Sequence, residues 1–464
     1  GSVSLSFAPS AVGLGIPAFP MAKSILVIGH GPIGHSFIEK MTESMSSEDA
    51  QYQISVLCEE PRPAYNRVML TQYFEDRDAE KHDQMKLSYV TEEELKDKMS
   101  VTLLYGRAMS IDREAKKVSY TTPGADAQSV AYDVLVFATG SFCFVPPVPG
   151  MTIPEKKNVN WPDDPASRPE GVFVYRTIED LESLLAKSKS GAKRAVVIGG
   201  GLLGLEAAKA VYDLKMESHV LEMAPYLMPT QLNDIGGQVL MKKINDLGVH
   251  VHCGVQIKRV VLDDGKVTGI ELVEKGAESA TILETDLVIV SCGVRPRDEL
   301  ARQCGLEMGA RGGVKVDAGL RSSDESIYAI GEVAAIGGNM CYGLWAPGVE
   351  QAEALTKNLL LGPGTSAYYD SDLSTKLKLL GVEVASFGRS ADFWFKGQYT
   401  GKDSSIKFID SKDELNGTYR RLCFSADGSK LMGGVLVGDA KDYSKLLQLS
   451  KKDDLAGNDP VALA

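Results

Sequence analysis

Two glycine-rich turns in the sequence have residue types and spacing suited to holding phosphate groups. Each reads G-x-G-x-x-G, follows a short apolar run that predicts a strand, and opens a run that predicts a helix. The first glycine allows a tight turn, the second lets a pyrophosphate approach the backbone, and the third lets the helix pack on the strand. The helix N-terminus attracts the anion. The candidate binding residues are Gly29, Gly31, Pro32, Ile33 and Gly34 in the first turn, and Gly199, Gly201, Leu202, Leu203 and Gly204 in the second.

An acidic residue ends the strand that follows each turn. Glu222 comes 18 residues after Gly204, and Glu59 closes the predicted strand 54–58. A carboxylate at this place can accept hydrogen bonds from both ribose hydroxyls. No arginine close to Glu222 is available for a 2′-phosphate, so the sequence favours NADH, with NADPH as the alternative.

Two such turns predict two bound dinucleotides. One would be the hydride donor and the other its acceptor, which indicates an electron-transfer enzyme. The alternative is that the second nucleotide fold serves only as a scaffold, although its glycines and its acid are all in place.

The composition excludes several other classes of protein. A net charge of −12 over 464 residues argues against nucleic acid or an anionic membrane as the main partner. The seven cysteines form no C-x-x-C pair, so we expect reduced thiols and no zinc or iron–sulfur site built from a local motif. No run of apolar residues is long enough to span a membrane. We expect a cytoplasmic protein, with an organelle lumen as the alternative.

The elements predict an α/β fold with two Rossmann-like domains and a C-terminal α+β domain. Residues 1–22 are expected to be a flexible leader, and the proline-rich run 146–150 to be a crossing between domains. A small mixed sheet is predicted over 249–290, a single strand over 378–385, and a hairpin over 419–437. Thr177 and Asp180 predict a capping box that opens a helix.

The order of the motifs resembles that of the two-dinucleotide flavoprotein reductases, which have the pyridine nucleotide–disulfide oxidoreductase fold. Besides the two turns, the chain carries Ala-Thr-Gly at 138–140 and Tyr-Ala-Ile-Gly-Glu at 328–332. A finer resemblance is to the flavoprotein segment of the NAD(P)H-dependent nitrite reductase large subunit, and it covers about residues 22–455. The stretches that carry it are 58–68, 174–181, 201–207, 293–298 and 379–388.

The resemblance implies FAD and NADH as cofactors and a division of the chain between them. The FAD-binding domain would comprise 23–150 and 295–365, the NAD(P)H-binding domain 151–294, and the C-terminal domain 366–464. The further cofactor-binding residues that it implies are Glu59 with Glu60 beside it at the adenosine ribose, Arg67 at the FAD phosphates, Ala108 at the adenine, Ala138, Thr139 and Gly140 along the cofactor, Glu332 at the ribityl chain, Trp345 near the flavin ring, Glu206 near the nicotinamide, and, without a more specific role, Gly293 and Gly331.

Each of these roles has an alternative that the residues leave open. Arg67 could make only a structural ion pair, Trp345 could be a core residue, and Glu206 could cap or pair within its helix. The thiol of Cys143 could approach the flavin or be inert. Some relatives carry a lysine five residues after the arginine, where this chain has Gln72, so the surroundings of the flavin would differ.

Three functions are consistent with the resemblance. The first is an NADH-oxidising flavoprotein that supplies an iron–sulfur/siroheme module, although the clustered cysteines of such a module do not occur in this sequence. The second is a separate rubredoxin or ferredoxin reductase, or an NADH oxidase. The third is a slow NADH- and FAD-binding redox sensor. We expect a redox partner protein, no catalytic nucleophile and no metal in this segment, and we leave a homodimer open.

Overall fold

The computed structural model describes residues 22–45, 51–74, 87–153, 168–337, 341–389, 406–455 and 457–463. The expected leader lies outside these ranges except for Ala22. The first part of the chain forms β1 (Lys23–Ile28), α1 (Pro32–Ser44), β2 (Tyr52–Cys58), a 3-10 helix (Arg67–Phe74), a π-helical turn (Glu94–Lys98), β3 (Thr102–Tyr105), β4 (Arg107–Asp112), β5 (Lys117–Thr121), β6 (Gln128–Ala131), β7 (Val134–Phe137) and β8 (Ser141–Cys143).

The second part runs from 172 to 296. It forms β9 (Val172–Val174), α2 (Ile178–Lys189), β10 (Arg194–Ile198), α3 (Leu202–Asp213), β11 (Glu217–Glu222), α4 (Asp234–Asp246), β12 (His250–Cys253), β13 (Gln256–Asp263), β14 (Lys266–Val273), β15 (Thr281–Glu284), β16 (Leu287–Val290) and β17 (Val294–Pro296). The predicted capping box is confirmed, because Thr177 accepts from the backbone of Asp180 and the Asp180 carboxylate accepts from the backbone of Thr177.

The third part forms α5 (Glu299–Gln303), β18 (Val314–Val316), β19 (Ile327–Ala329), a 3-10 turn (Gly331–Val333), β20 (Ala334–Ile336) and α6 (Trp345–Leu361). The fourth forms β21 (Thr375–Leu379), β22 (Val382–Gly388), β23 (Ile406–Asp413), β24 (Thr418–Ser425), β25 (Leu431–Val437), α7 (Tyr443–Ser450) and α8 (Pro460–Leu463). The hairpin predicted over 419–437 is confirmed as the antiparallel pair β24–β25.

Two parallel sheets with the same strand arrangement carry the two glycine-rich turns. The N-terminal sheet has the order β19-β7-β1-β2-β3, and the central sheet has the order β9-β16-β10-β11-β12 when it is read in the matching direction. In each, an antiparallel meander follows the edge strand in the chain: β4-β5-β6 lies between β3 and β7 in the first unit, and β13-β14-β15 lies between β12 and β16 in the second. The structure is therefore the α/β fold with two Rossmann-like units that the sequence predicts.

The connection between the two units is a short antiparallel ribbon. β8 leaves the first unit and pairs with β17, which returns from the second. β19 then joins the N-terminal sheet beside β7. The last strand of the first sheet therefore comes after the whole second unit in the chain.

The C-terminal sheet has the order β21-β22-β25-β24-β23 and is antiparallel. One face, with Val384 and Val435, joins the buried cluster of the second unit that includes Leu240 of α4. The other face, with Leu422 and Leu436, is buried with Leu446 of α7. This is the C-terminal α+β part of the fold that the sequence predicts.

Two of the sequence predictions for strands are wrong. The small mixed sheet over 249–290 does not exist as one unit, because β12 and β16 belong to the parallel central sheet and only β13–β15 form the meander. β16 is the continuous apolar run Leu-Val-Ile-Val, buried along its whole length, which is typical of a central parallel strand.

The strand predicted over 378–385 is two strands joined by a tight turn. Leu380 and Gly381 both have positive φ, 49° and 87°, and β21 and β22 pair across them. Two consecutive positive φ values give the turn that matches the twist of a hairpin. Gly381 is the one residue of this stretch that indicates a turn, and the apolar residues on both sides of it favour a continuous strand instead.

Candidate functional site

The first glycine-rich turn is built by close backbone contacts at two of its glycines. Gly29 has φ +105°, and a Cβ there would lie 2.4 Å from the carbonyl oxygen of Ala138. A Cβ on Gly34 would lie 2.2 Å from the carbonyl oxygen of Gly29. Gly31 is different: it has an ordinary φ of −86°, and a Cβ there would meet nothing within 4 Å among the described residues beyond its chain neighbours.

The second turn repeats this arrangement. Gly199 has φ +116°, and its Cβ would lie 2.2 Å from the carbonyl oxygen of Ser291, while a Cβ on Gly204 would lie 1.8 Å from that of Gly199. Gly201 has φ −83° and again faces open space within the described part of the chain. In both turns, two glycines are required by the fold, and one leaves room for a ligand against the backbone.

The helices that follow the two turns have N-termini that no side chain caps. Gly31 and Gly201 are the N-cap residues of α1 and α3, and neither helix has a side-chain cap or an acidic residue in its first turn. The first N–H groups of a helix have no intrahelical partner and carry partial positive charge. Ile33 and Leu203 lie in these first turns, and both cradles fit the phosphate groups of a dinucleotide.

His30 supplies a further sign of a ligand beside the first turn. Its Nδ1 accepts a hydrogen bond from the backbone N–H of Ala64 (3.3 Å), which places the ring proton on Nε2. That Nε2 is buried and has no partner among the described residues. Burial, with His35 nearby, lowers the pKa of His30 to about 3, so the ring stays neutral and offers a buried donor to an acceptor such as a phosphate oxygen.

Glu222 is held firmly at the end of β11. One carboxylate oxygen accepts from the backbone N–H of Gly200 (2.6 Å) and the other from that of Ala224 (2.7 Å). Gly200 is a residue that the sequence analysis missed: a Cβ there would lie 2.6 Å from the Leu227 side chain and 2.9 Å from Glu222 Cβ. The acid is therefore positioned beside the second turn, as the fingerprint predicts.

Glu59 and Glu60 follow β2 and have different surroundings. Glu59 is exposed and lies 3.5 Å from Arg107 and 3.4 Å from Arg297. Glu60 is only partly exposed, forms an ion pair with Arg67 and accepts from the Tyr65 hydroxyl (2.8 Å). Burial acts to raise the pKa of Glu60, but Arg67 and Tyr65 lower it below its usual value.

Arg67 makes a structural ion pair, the alternative to a phosphate contact. Besides pairing with Glu60, it donates to the carbonyl oxygen of Arg176 (3.2 Å). The guanidinium also lies 5.0 Å from the centre of the Tyr65 ring. The contact with FAD phosphates stays a prediction.

Residues 138–140 continue from β7 and run beside the first turn. The Ala138 N–H donates to the carbonyl oxygen of Ile28 (2.9 Å), and the Thr139 hydroxyl donates to that of Arg297 (2.7 Å). Gly140 has φ +67°. Gly293 follows β16, and its carbonyl oxygen accepts from the N–H of Phe144 (2.8 Å). These segments lie at the ends of the strands, as expected, whereas Ala108 lies in β4 of the first meander.

Glu332 takes part in a polar network that joins the two units. Its Oε2 accepts from Arg176 (2.5 Å) and from the Ser141 hydroxyl (2.6 Å), and Arg176 also donates to that hydroxyl (2.7 Å). Arg176 follows β9 of the central sheet, and Glu332 follows β19 of the N-terminal sheet. The sequence analysis missed Arg176 and Ser141. The run Val-Tyr-Arg before the capping box was the one available signal for the arginine.

The N-terminus of α6 lies against the first turn. A Cβ on Gly348 would lie 2.6 Å from the Ile33 side chain, and one on Gly331 would lie 3.3 Å from it. The N–H of Gly331 donates to Gln351 Oε1 (2.7 Å). Trp345, the first residue of α6, is 48% exposed, so the alternative that it is a core residue is wrong.

Glu206 lies on α3 in an apolar environment. We find no hydrogen bond or ion pair for it within the described ranges. Burial raises the pKa of the Tyr175 phenol, and the nearby Glu206 carboxylate adds to this effect. Burial raises the pKa of Glu206 to about 7. A carboxyl group with a pKa in this range can be protonated or ionised near neutral pH.

All seven cysteines are free, as expected. Burial raises the pKa of Cys143 to about 11, and that of Cys292 to about 12. A thiol with such a pKa carries almost no thiolate at neutral pH, which makes it a poor nucleophile. This favours the alternative that Cys143 is inert.

The functional residues converge because of strand direction. In the N-terminal sheet the parallel strands β1, β2, β7 and β19 lead into the segments 29–34, 59–60, 138–140 and 331–332. Parallel strands bring their carboxyl ends to one edge of the sheet, where ligands of such sheets bind. In the central sheet, β9, β10, β11 and β16 lead in the same way into Arg176, 199–204, the end of β11 at Glu222, and Gly293. The bond from Arg176 to Glu332 brings these two edges together.

None of the described helices is long and apolar enough to cross a membrane.

Comparison with protein families gives two matches. The model described as pyridine nucleotide-disulphide oxidoreductase matches residues 23–354, and the one described as rubredoxin NAD+ reductase C-terminal domain matches residues 374–453. Together they cover most of the chain.

Individual proteins extend this similarity. The NAD(P)H nitrite reductase large subunit of Klebsiella oxytoca is 41% identical over 430 residues, which are 92% of this chain and 40% of that protein. The assimilatory nitrate reductase electron transfer subunit of Bacillus subtilis is 31% identical over 94% of this chain and 50% of that one. This chain thus spans half or less of the length of these relatives. A NAD-dependent persulfide reductase from A. fulgidus shares the fold, with a TM-score of 0.75 and 24% identity over 92% of this chain and 76% of that chain.

Proposed function

The chain belongs to the pyridine nucleotide-disulphide oxidoreductase family, and on this premise we propose that it is an FAD-dependent NADH oxidoreductase. It takes electrons from NADH and passes them to a nitrite-reducing iron–sulfur/siroheme module. The family implies FAD and a nicotinamide nucleotide, and the residues present fit two such molecules. The choice of NADH and the identity of the acceptor are the further parts of the proposal.

The meeting of the two carboxyl edges is the observation that supports this function most strongly. Each edge has an open glycine position at a helix N-terminus, Gly31 or Gly201, where a dinucleotide pyrophosphate fits. The bond from Arg176 to Glu332 joins the edges. Hydride transfer requires two reacting rings to be aligned and close, and two facing nucleotide edges are the arrangement that this chemistry needs.

The protein's part in the reaction is to bind, orient and exclude water. FAD, when bound, supplies the capacity to accept a hydride and to release electrons to an acceptor. The first turn and α1 hold the phosphates of one dinucleotide, and the second turn and α3 hold those of the other. Glu332, Arg176 and Ser141 orient polar groups between the two sites, and Trp345 offers an exposed aromatic face at the N-terminus of α6.

Glu222 supports NADH as the preferred nucleotide. Two backbone amides hold its carboxylate next to the second turn, where it can accept from the ribose hydroxyls and would repel a 2′-phosphate. The next residue, Met223, is 81% exposed and carries no charge to offset that repulsion.

The nitrite-reducing acceptor rests on the similarity to the Klebsiella oxytoca protein, which covers 92% of this chain. The family match at 374–453 favours a second candidate. That match is to the C-terminal domain of a rubredoxin NAD+ reductase, so a small iron–sulfur carrier protein is the alternative acceptor. Free cysteines suit a reducing compartment, and we place the protein in the cytoplasm, with an organelle lumen as the alternative.

Anaerobic reduction of the purified protein tests the proposal. We expect a yellow protein whose flavin absorbance is bleached by NADH within seconds and much more slowly by NADPH. A colourless protein that cannot be reconstituted with FAD would contradict the function altogether. Slow bleaching with negligible turnover would favour the redox sensor instead.

The acceptor is tested separately, by adding candidate acceptors to the NADH-reduced protein. We expect rapid reoxidation by a siroheme and iron–sulfur nitrite-reducing protein and slow reoxidation by oxygen. Faster reoxidation by rubredoxin or ferredoxin would favour the second candidate and leave the NADH oxidoreductase activity intact.

A further inference from the structure

Three side chains with metal-binding atoms lie together on the central sheet, away from the nucleotide edge. Glu217 and His219 are on β11, and His250 is on the neighbouring edge strand β12. One ligand atom from each of the three lies within 4.8 Å of the others. The sequence analysis expected no metal in this segment and did not find this cluster.

The strand geometry explains why these residues meet. Side chains two residues apart on a strand share a face, which places Glu217 and His219 together. The register of the parallel pair sets His219 directly opposite His250, and the two rings stack with their centres 4.7 Å apart. An imidazole binds a metal ion in the plane of its ring, so the two stacked rings cannot both bind one ion as they lie. The exposed His250 side chain would turn about its side-chain bonds, while β11 and β12 keep the ligands close together.

A second layer of hydrogen bonds supports His219. Its Nε2 lies 3.0 Å from Glu217 Oε1, and its Nδ1 lies 3.2 Å from Nε2 of His252. Nδ1 of His252 in turn lies 4.0 Å from the Glu274 carboxylate. A metal-binding histidine almost always donates its second ring N–H to an outer partner, which fixes the ring and strengthens the ligand. The contact between His219 and His252 has this form, and the Glu274 carboxylate lies near the far side of the His252 ring.

The residues around the cluster leave its three ligand atoms available to a metal ion. Arg194 binds the other carboxylate oxygen of Glu217, Oε2, at 2.9 Å, so Oε1 remains as a single ligand oxygen. His219 is 7% exposed, whereas Glu217 and His250 are exposed. An ion can therefore enter from solvent and reach a buried imidazole.

We propose that Glu217, His219 and His250 form a binding site for a divalent transition-metal ion of the zinc class. Two imidazoles and one carboxylate suit Zn²⁺, Ni²⁺, Co²⁺ or Cu²⁺ and are a poor set for Mg²⁺ or Ca²⁺. Three protein ligands leave a position for water, as in open zinc sites.

Binding at His219 keeps one proton on each histidine ring. Without the ion, Nε2–H of His219 donates to Glu217, and Nδ1 accepts from Nε2–H of His252. With the ion on Nε2, Nδ1–H of His219 donates to Nε2 of His252, whose proton moves to Nδ1, toward Glu274. The protonation of the cluster is unchanged, and the proton displaced from Nε2 reappears at Nδ1.

The ion would tie the edge strand β12 to β11. Glu217 begins β11 and Glu222 ends it, so the site is about 16 Å along the strand from the nucleotide-binding acid. The site is thus separate from the proposed reaction, and its test does not depend on that function.

Titration of metal-free, untagged holoprotein with ZnCl₂, followed by calorimetry, tests the proposal. We expect one saturable Zn²⁺ site per chain and no comparable binding of Mg²⁺ or Ca²⁺. His250→Ala, at an exposed position that should not disturb folding, is expected to weaken Zn²⁺ binding by more than the roughly 10- to 100-fold that loss of an outer partner costs. His252→Gln is expected to fall within that smaller range. Glu271→Gln on β14, whose carboxylate pairs with Arg259, is the matched control and should bind as the unaltered protein does.

Cobalt substitution identifies the ligand atoms independently. A Co²⁺ spectrum without the thiolate-to-cobalt charge-transfer band, altered by His250→Ala, would support the site. Saturable binding that survives His250→Ala, a thiolate band that reports binding at one of the seven cysteines, or no saturable Zn²⁺ binding would each overturn the proposal.

Discussion

At Gly201, an added methyl group would enter open space at the N-terminus of α3. A Cβ there would meet no heavy atom of the described residues within 4 Å apart from those of its chain neighbours, and its φ of −83° and ψ of −173° suit alanine. The fold should therefore tolerate Gly201→Ala. A compatible glycine-to-alanine change typically stabilises a protein by about 0.4–1 kcal/mol, whereas alanine is a poorer N-cap residue than glycine, so we expect the free energy of unfolding to change little.

Nucleotide binding should respond differently. A methyl group at this position would separate the pyrophosphate from the backbone N–H groups of the turn. A hydrogen bond to a charged group contributes about 1.5–3 kcal/mol, so losing one weakens NADH binding by about 10- to 100-fold. The flavin site is in the other unit, and the FAD content should not change. Stopped-flow reduction at varied NADH concentration gives the apparent Kd, and the flavin absorbance gives the FAD content.

Two further glycines serve as controls for this prediction. Gly31→Ala makes the same change in the first turn, where φ is −86° and the space is likewise open, and should weaken FAD binding by a similar factor; after reconstitution with excess FAD, its affinity for NADH should be unchanged. Gly204→Ala places a Cβ 1.8 Å from the Gly199 carbonyl oxygen and should disturb folding itself. If Gly201→Ala bound NADH as tightly as the unaltered protein, the pyrophosphate would not lie against this turn and the assignment would be refuted.

Three other changes give measurable outcomes. Replacing Glu222 with alanine and the exposed Met223 with arginine removes a carboxylate and adds a phosphate-pairing cation, so kcat/KM should shift from NADH toward NADPH; an unchanged ratio would show that this acid does not select the nucleotide. Because burial raises the pKa of Glu206 from 4.5 to about 7, the folded protein holds this proton more tightly, and stability should fall by about 3 kcal/mol as pH rises through that window. Glu206→Gln should flatten that part of the pH profile of urea unfolding, and an equally steep profile would refute the burial argument. Tyr419→Phe removes the acceptor of the Asn233 amide (2.8 Å) and should lower stability by about 1 kcal/mol, seen as earlier proteolysis of the C-terminal part, whereas unaltered proteolysis would show that this bond does not hold it.

The two glycine-rich turns could be predicted from the sequence because the residues that define each of them are contiguous in the chain. Strand, turn, helix and second strand follow one another within a few tens of residues, and each glycine has a local physical reason. The acid at Glu222 could be placed for the same reason, since the chain returns to the sheet beside the turn in a parallel strand. Gly200 shows the limit of this reasoning, because its lack of a side chain is required by Leu227 and Glu222, which lie outside the turn.

The order of strands in the sheets could not be derived from the sequence. β9 precedes the second turn in the chain and β19 follows the first by about 300 residues, yet the two strands occupy the same place in their sheets. Periodicity identifies a strand but does not say which strand lies beside it. The mixed sheet expected over 249–290 failed for this reason, since the elements were there but were divided between two sheets.

Contacts between units have no local sequence signal at all. Arg176 and Glu332 are 156 residues apart, and the pair exists because two carboxyl edges meet. Arg67 shows a related limit. The resemblance implies a contact with the FAD phosphates, which stays a prediction, and the structure pairs Arg67 with Glu60, whose carboxylate also accepts from the Tyr65 hydroxyl. A buried charge needs a partner of opposite charge, and the sequence does not reveal whether a carboxylate, a ligand phosphate or both supply it for Arg67. The arginines between the two sheets are therefore the residues whose substitution would say most about how the two nucleotides are coupled.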